Sequence, residues 1–184
     1  MATSTMQLAL GTDAPAFSLA EVETGEKVTL DDVAGDRPFV VAFLCRHCPY
    51  VKHVEHAFAA LAGEYIERGV GFVGISSNDP ADYPDDAPDR LAEQKREVGF
   101  PFPYLFDETQ DVARAYHAAC TPDFFAFDAE RRLAYRGRMD PSRPDQGEPT
   151  GADLRAALDA LLEGGTPSED QWPSMGCSIK WRAA

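Results

Sequence analysis

Apolar positions change their period along this chain, and each change marks an element. Residues 38–44 run Pro-Phe-Val-Val-Ala-Phe-Leu without a polar break, the pattern of a strand buried on both faces of a sheet. From Cys48 to Gly69 the spacing becomes three and four. Val51, Val54, Phe58, Leu61, Tyr65 and Ile66 share one face, while Lys52, His53, Glu55, Glu64 and Glu67 fall elsewhere. This predicts an amphipathic helix that stops at Gly69. Residues 70–76 return to a continuous apolar run, so the three segments form a β-α-β unit with parallel strands.

The flanking pattern is shorter in range. Residues 16–19 and 28–30 alternate apolar and polar around a turn at Gly25, a small hairpin. Residues 30–35 read as one helical turn. The Pro- and Asp-rich stretch from Asn78 to Asp89 is a loop. A helix is predicted from Asp89 to Val98, a short strand at 104–106, and a helix from Thr109 to His117 with Thr109 as its N-cap. Residues 124–127 and 133–136 form a second hairpin. Thr150 to Asp153 has the form of a capping box opening a helix that carries Leu154, Ala157, Leu158, Leu161 and Leu162 and ends at Gly164 and Gly165. The architecture is therefore α/β, with residues 1–165 as one domain and residues 166–184 as a tail. That tail has no period but holds Trp172, Trp181, Ile179 and Cys177. Aromatic side chains of that size leave much apolar surface in water, so the tail is expected to pack on the domain.

Composition narrows the function more than the fold. The chain has 184 residues, 44% of them hydrophobic, and a net charge of −14. Nucleic acid and anionic membrane are excluded as partners, because both are polyanions. No apolar run approaches the ~18 residues of a membrane helix. The first basic residue is Lys27, unlike a secretory or transit segment, so a cytoplasmic location is expected. The four cysteines, Cys45, Cys48, Cys120 and Cys177, are too few for a disulfide scaffold. In a reducing compartment the close pair points to catalysis or metal binding.

Cys45-Arg46-His47-Cys48 lies where the buried strand ends and the amphipathic helix begins. Unpaired N–H groups and the helix dipole there stabilise a thiolate, which is the nucleophile of disulfide exchange. Two intervening residues let the second sulfur attack a mixed disulfide on the first, and Pro49 is tolerated so early in a helix. Half of a zinc site is one alternative, but no second pair of ligands has the right spacing. Two inert structural thiols are another. No metal and no cofactor are expected. His53, His56 and His117 fall on helices and read as surface groups.

With these residues in view the chain resembles the thioredoxin-like superfamily, and within it the alkyl hydroperoxide reductase/thiol-specific antioxidant branch. The resemblance covers residues 14–19, 45–53, 75–79, 120–125, 135–137 and 176–181. It implies a thioredoxin-like fold: a central mixed sheet flanked by helices, an N-terminal hairpin extension and the docked tail. It also implies a cis peptide before Pro122, with Thr121 and Pro122 contacting substrate beside Cys45. Thioredoxins usually have Trp before the motif and Gly-Pro within it, where this chain has Leu44 and Arg46-His47. Peroxiredoxins usually carry Thr three residues before the peroxidatic Cys and Arg before the strand after Pro122. Here those positions hold Cys45 and Thr121.

The favoured function is thiol–disulfide exchange with a protein dithiol or disulfide or a small thiol. Cys45 is expected to attack, as the more exposed and more acidic thiol, and Cys48 to resolve. Arg46 and His47 are expected to tune the potential by favouring the thiolate. A thiol peroxidase that reduces hydroperoxide through Cys48 is the alternative, and a non-enzymatic binding module a third. Cys120 and Cys177 are candidates for a third thiol.

Overall fold

The structure is a computed structural model and describes residues 6–184. Its strands are β1 (Ser18–Glu21), β2 (Lys27–Thr29), β3 (Phe39–Phe43), β4 (Gly71–Ser76), β5 (Tyr104–Phe106), β6 (Cys120–Thr121), β7 (Asp123–Phe127), β8 (Leu133–Gly137) and β9 (Cys177–Ser178). Its helices are α1 (Leu30–Ala34), α2 (Pro49–Glu67), α3 (Pro88–Val98), α4 (Asp111–Ala115) and α5 (Ala152–Leu162). Seven strands form one sheet in the order β2-β1-β5-β4-β3-β7-β8. β3 and β5 run parallel to β4, and the other pairs are antiparallel. The sheet is therefore mixed. The N-terminal hairpin is its continuation, because β1 pairs with β5.

β3 is apolar throughout because both of its faces are covered. Val40 and Ala42 pack with Val51, Phe58 and Leu61 of α2 and Leu154 and Leu158 of α5. Phe39, Val41 and Phe43 face Leu30 and Val33 of α1 and Val112 and Ala113 of α4. Strand alternation thus builds two apolar layers from one segment. Phe58 anchors the first layer, its ring 5.0 to 6.0 Å from those of Phe72, Phe102 and Phe124. No helix of the described residues is long and apolar enough to cross a membrane.

Helix ends depart from the pattern reading in three places. The segment predicted from Thr109 to His117 is helical only over Asp111–Ala115, and its N-cap is Gln110 at φ 66°. Gln110 adopts that conformation while its side-chain amide donates to the carbonyls of Ser77 and Lys180. The capping box expected at Thr150 is absent: Gly151 is the N-cap, without a side-chain cap, and Asp153 pairs with Arg138. Asp140 holds that helix start instead, accepting from the Gly151 N–H at 2.8 Å. The reciprocal capping box is at Thr29 and Asp32, before α1.

Beyond α5 the chain returns to the domain. β9 pairs antiparallel with β6, Cys120 opposite Ser178 and Thr121 opposite Cys177. Ile179 is buried, but Trp172 and Trp181 remain 57% and 41% exposed. The tryptophans therefore do not supply the burial on which tail packing was expected to rest. They lie instead beside Arg138 and Arg114.

Phe58→Ala removes the ring on which three others converge. It is expected to cost about 3–5 kcal/mol of unfolding free energy, read from denaturant midpoints.

Candidate redox site

β3 delivers Leu44 and Cys45 to the end of the sheet, and the chain turns through Arg46 and His47 into α2. Cys48 is the N-cap of that helix and Pro49 its first residue. Facing them is the peptide between Thr121 and Pro122, which is cis. The Cys45 Sγ lies 3.1 Å from Thr121 Oγ1, and the Cys48 Sγ lies 3.3 Å from the Thr121 carbonyl oxygen. One residue thus touches both sulfurs. All four cysteines are free thiols.

The two sulfurs are not equivalent, and their difference in acidity runs opposite to the order expected from the sequence. Both residues are 0% exposed, so Cys45 is not the more accessible. Burial pushes the Cys45 thiol well up, aided by its hydrogen bond to Cys48 and the nearby Asp86 carboxylate. Cys48 is drawn down to about 5 by hydrogen bonds, first from the Cys45 thiol, then from the Cys177 thiol and the N–H groups of Val51 and Cys177. The physical reason is position. Cys48 is the N-cap residue of the helix, where the Val51 N–H acts on its sulfur, whereas Cys45 sits further back, at the strand end.

Asp86 organises the turn between the cysteines. It is fully buried and accepts from the Arg46 N–H at 2.7 Å and from the His47 N–H at 3.3 Å. Its other oxygen lies 2.5 Å from His47 Nδ1 and accepts from Asn78 at 2.9 Å. The His47 ring stacks on Tyr83. The Arg46 guanidinium reaches Glu93 at 2.7 Å and Glu97 at 3.6 Å. Both intervening side chains are therefore held by carboxylates, which offset the positive charge assigned to the motif. Cys45, His47 and Asp86 could together offer three ligand atoms, all within 4.8 Å of one another. Every one of those atoms already has a hydrogen-bond partner within the protein.

Three supporting residues escaped the sequence reading. Asp86 was one acid among several in a loop. Gln94 lies on α3, where its amide donates to the Cys45 carbonyl at 3.1 Å and to Glu55 at 3.0 Å. Asp123 follows the cis proline, is buried and accepts from Ser174, and burial raises its carboxyl to about 7. An acid set directly against the Phe124-Phe125 run was the available signal for it. Of the other candidates, burial pushes Cys120 well up, and its thiol points to the Pro122 carbonyl. Cys177 is half-buried against Cys48. His53 bonds Ser142, while His56 and His117 are exposed.

Residues 10–136 match the AhpC/TSA family. The chain belongs to the AhpC/TSA family. A protein of Mycobacterium tuberculosis named as a peroxiredoxin is 31% identical over 116 residues, covering 63% of this chain and 68% of that one. A conserved protein from Geobacillus kaustophilus is 51% identical with a TM-score of 0.97, over 100% of this chain and 98% of that one. A thiol:disulfide interchange protein of the thioredoxin family from Chlorobium tepidum is 20% identical with a TM-score of 0.65, over 84% of this chain and 99% of that one. The fold is thioredoxin-like, and the family supports a thiol-based redox function. Within this AhpC/TSA chain, Cys45 and Thr121 are in contact with each other.

Alkylation with iodoacetamide across pH, followed by peptide mapping, tests the order of the sulfurs. Cys48 is expected to label first and to gain reactivity as pH rises through about 5. Preferential labelling of Cys45 would reverse the assignment.

Proposed function

We propose that this protein is a thiol–disulfide oxidoreductase that exchanges a dithiol and a disulfide at Cys45 and Cys48 with a protein or small-thiol partner. The observation that carries the reading is the placement of both sulfurs on the cis Thr121–Pro122 turn. Cys48 supplies the thiolate, because its sulfur is drawn down to about 5 and is ionised at neutral pH. It attacks a disulfide sulfur of the partner and expels one thiolate. Cys45, hydrogen-bonded to Cys48, then attacks the mixed disulfide and releases the second thiol. Thr121 Oγ1 holds Cys45 for that step. A stabilised thiolate favours the dithiol and makes the pair a stronger oxidant. Arg46 and His47 act on the potential through their carboxylate partners, above all Asp86. The proposal includes a cytoplasmic, reducing setting.

One observation favours a second reading. Cys48 stands at the position of the peroxidatic Cys and carries the lowered pKa, as a thiol peroxidase requires. Against it, the nearest arginine in the motif, Arg46, turns its guanidinium onto Glu93 and Glu97 and away from the sulfurs. A binding module without chemistry has no use for a thiol so acidic.

Stopped-flow mixing of the reduced protein with hydrogen peroxide and, separately, with a small disulfide decides between them. The disulfide is expected to oxidise the pair faster at equal concentration. Faster oxidation by peroxide would overturn the proposal in favour of the peroxidase. Cys48→Ser is expected to abolish either reaction.

A further inference from the structure

The edge of β6 is where Thr121 and Pro122 would contact a partner chain, and this protein fills it with its own C-terminus. β9 lies antiparallel on β6, with Cys177 opposite Thr121. The approach is close: a Cβ at Gly176 would stand 1.9 Å from the Thr121 carbonyl oxygen, so only glycine permits it. The register delivers Cys177 to the reactive pair: it stands opposite Thr121, whose carbonyl oxygen lies 3.3 Å from the Cys48 sulfur, and its thiol and N–H help to lower the pKa of that sulfur. Cys45 and Cys48 have no exposed surface, while Cys177 is partly open to solvent.

Resting on the exchange function proposed above, we infer that Cys177 is the third thiol of the centre, and that β9 is an intramolecular substrate strand accepting a disulfide from Cys48. When Cys45–Cys48 is oxidised, the Cys177 thiolate attacks the Cys48 sulfur. A Cys48–Cys177 bond forms, the Cys45–Cys48 bond breaks, and Cys45 leaves as a thiolate that takes up the proton Cys177 released to solvent. No external oxidant or reductant enters this isomerisation. The oxidising equivalent moves from a sealed pair to a thiol that a partner can reach. Cys120 has no such path, since its thiol points to the Pro122 carbonyl.

Charge gates the step. Burial, its hydrogen bond to the Cys48 thiolate and that thiolate's charge together raise Cys177 to about 11, against Lys180. Once Cys48 is held in a disulfide its charge is gone, and two of the causes that keep Cys177 protonated go with it. The tail thiol is therefore silent in the reduced protein and activated by oxidation of the pair.

Full-length Cys45→Ser protein, incubated with glutathione disulfide, quenched, alkylated and mapped without reduction, tests this directly. The glutathione first placed on the protein is expected to be lost, leaving Cys48 linked to Cys177. Cys45→Ser/Cys177→Ser is expected to retain glutathione on Cys48. Retention of glutathione by the single variant, with Cys177 free to alkylate, would overturn the inference. The failure of the exchange function reads differently: wild-type protein would form no intrachain disulfide at all with the same reagent, and both proposals would fall together.

Discussion

The main chain at Thr121 is the constraint on which the site depends. Its carbonyl lies against the Cys48 sulfur, its hydroxyl meets Cys45, its backbone pairs with Cys177, and Gly176 crosses it at a distance that admits no side chain. A short strand, β6, precedes the cis turn, and β7 follows it into the centre of the sheet beside β3. The strand that carries Cys45 and the strand that follows Pro122 are therefore adjacent in the ladder. Any shift in that register would move one sulfur away from its partner atom. The two-sided core around β3 fixes the register, since a slip by one residue would exchange its two apolar faces.

Burial and hydrogen bonding then divide the labour between the two sulfurs. Hydrogen bonds, first from the Cys45 thiol and then from the Cys177 thiol and the Val51 N–H at the helix start, lower the cost of negative charge at Cys48, while burial, with the Asp86 carboxylate adding to it, raises that cost at Cys45. Asp86 reaches this position because the short turn Pro84–Asp86 aims it inward and because the Arg46 and His47 N–H groups satisfy it there. Without those donors a buried carboxylate would be strongly unfavourable. Through Asn78 the network continues to the tail, since Asn78 donates to Asp86 and accepts from the Lys180 N–H at 2.8 Å. The loop after β4 thus joins the motif turn to the C-terminal segment.

Much of this was legible in the sequence, and the limits are physical. Period alone located β3, α2 and β4, because long apolar segments are fixed by burial and little else. The motif at the strand–helix junction and the cis proline followed from residue type and resemblance. The order of the sulfurs was not legible. It turns on which cysteine caps α2 and on where Asp86 points, and a loop with several acids does not say which one turns inward. Gln94 was hidden for a similar reason, since a polar residue on a helix reads as solvated until its neighbours are known. Trp172 and Trp181 misled about the source of tail packing, because side-chain size does not reveal whether hydrogen bonds already hold the backbone.

How the tail is held bears on what it can do. Ile179 contributes apolar burial, and the main chain bonds Ala119, Asp79 and the side chains of Asn78 and Gln110. Each such bond adds about 0.5–1.5 kcal/mol net, against about 1–2 kcal/mol of backbone entropy for each residue ordered. The balance is close, and a segment so held belongs to the part of a protein that opens locally before the core does. Two large rings left against arginines at the surface fit that condition better than two rings sunk in the core, which would fasten the tail permanently. A strand that bears a thiol, lies on a substrate-binding edge and is held by main-chain bonds can leave that edge when a partner competes for it. On the exchange reading, the same contacts that seal Cys45 and Cys48 in the resting protein are the ones a partner strand would replace.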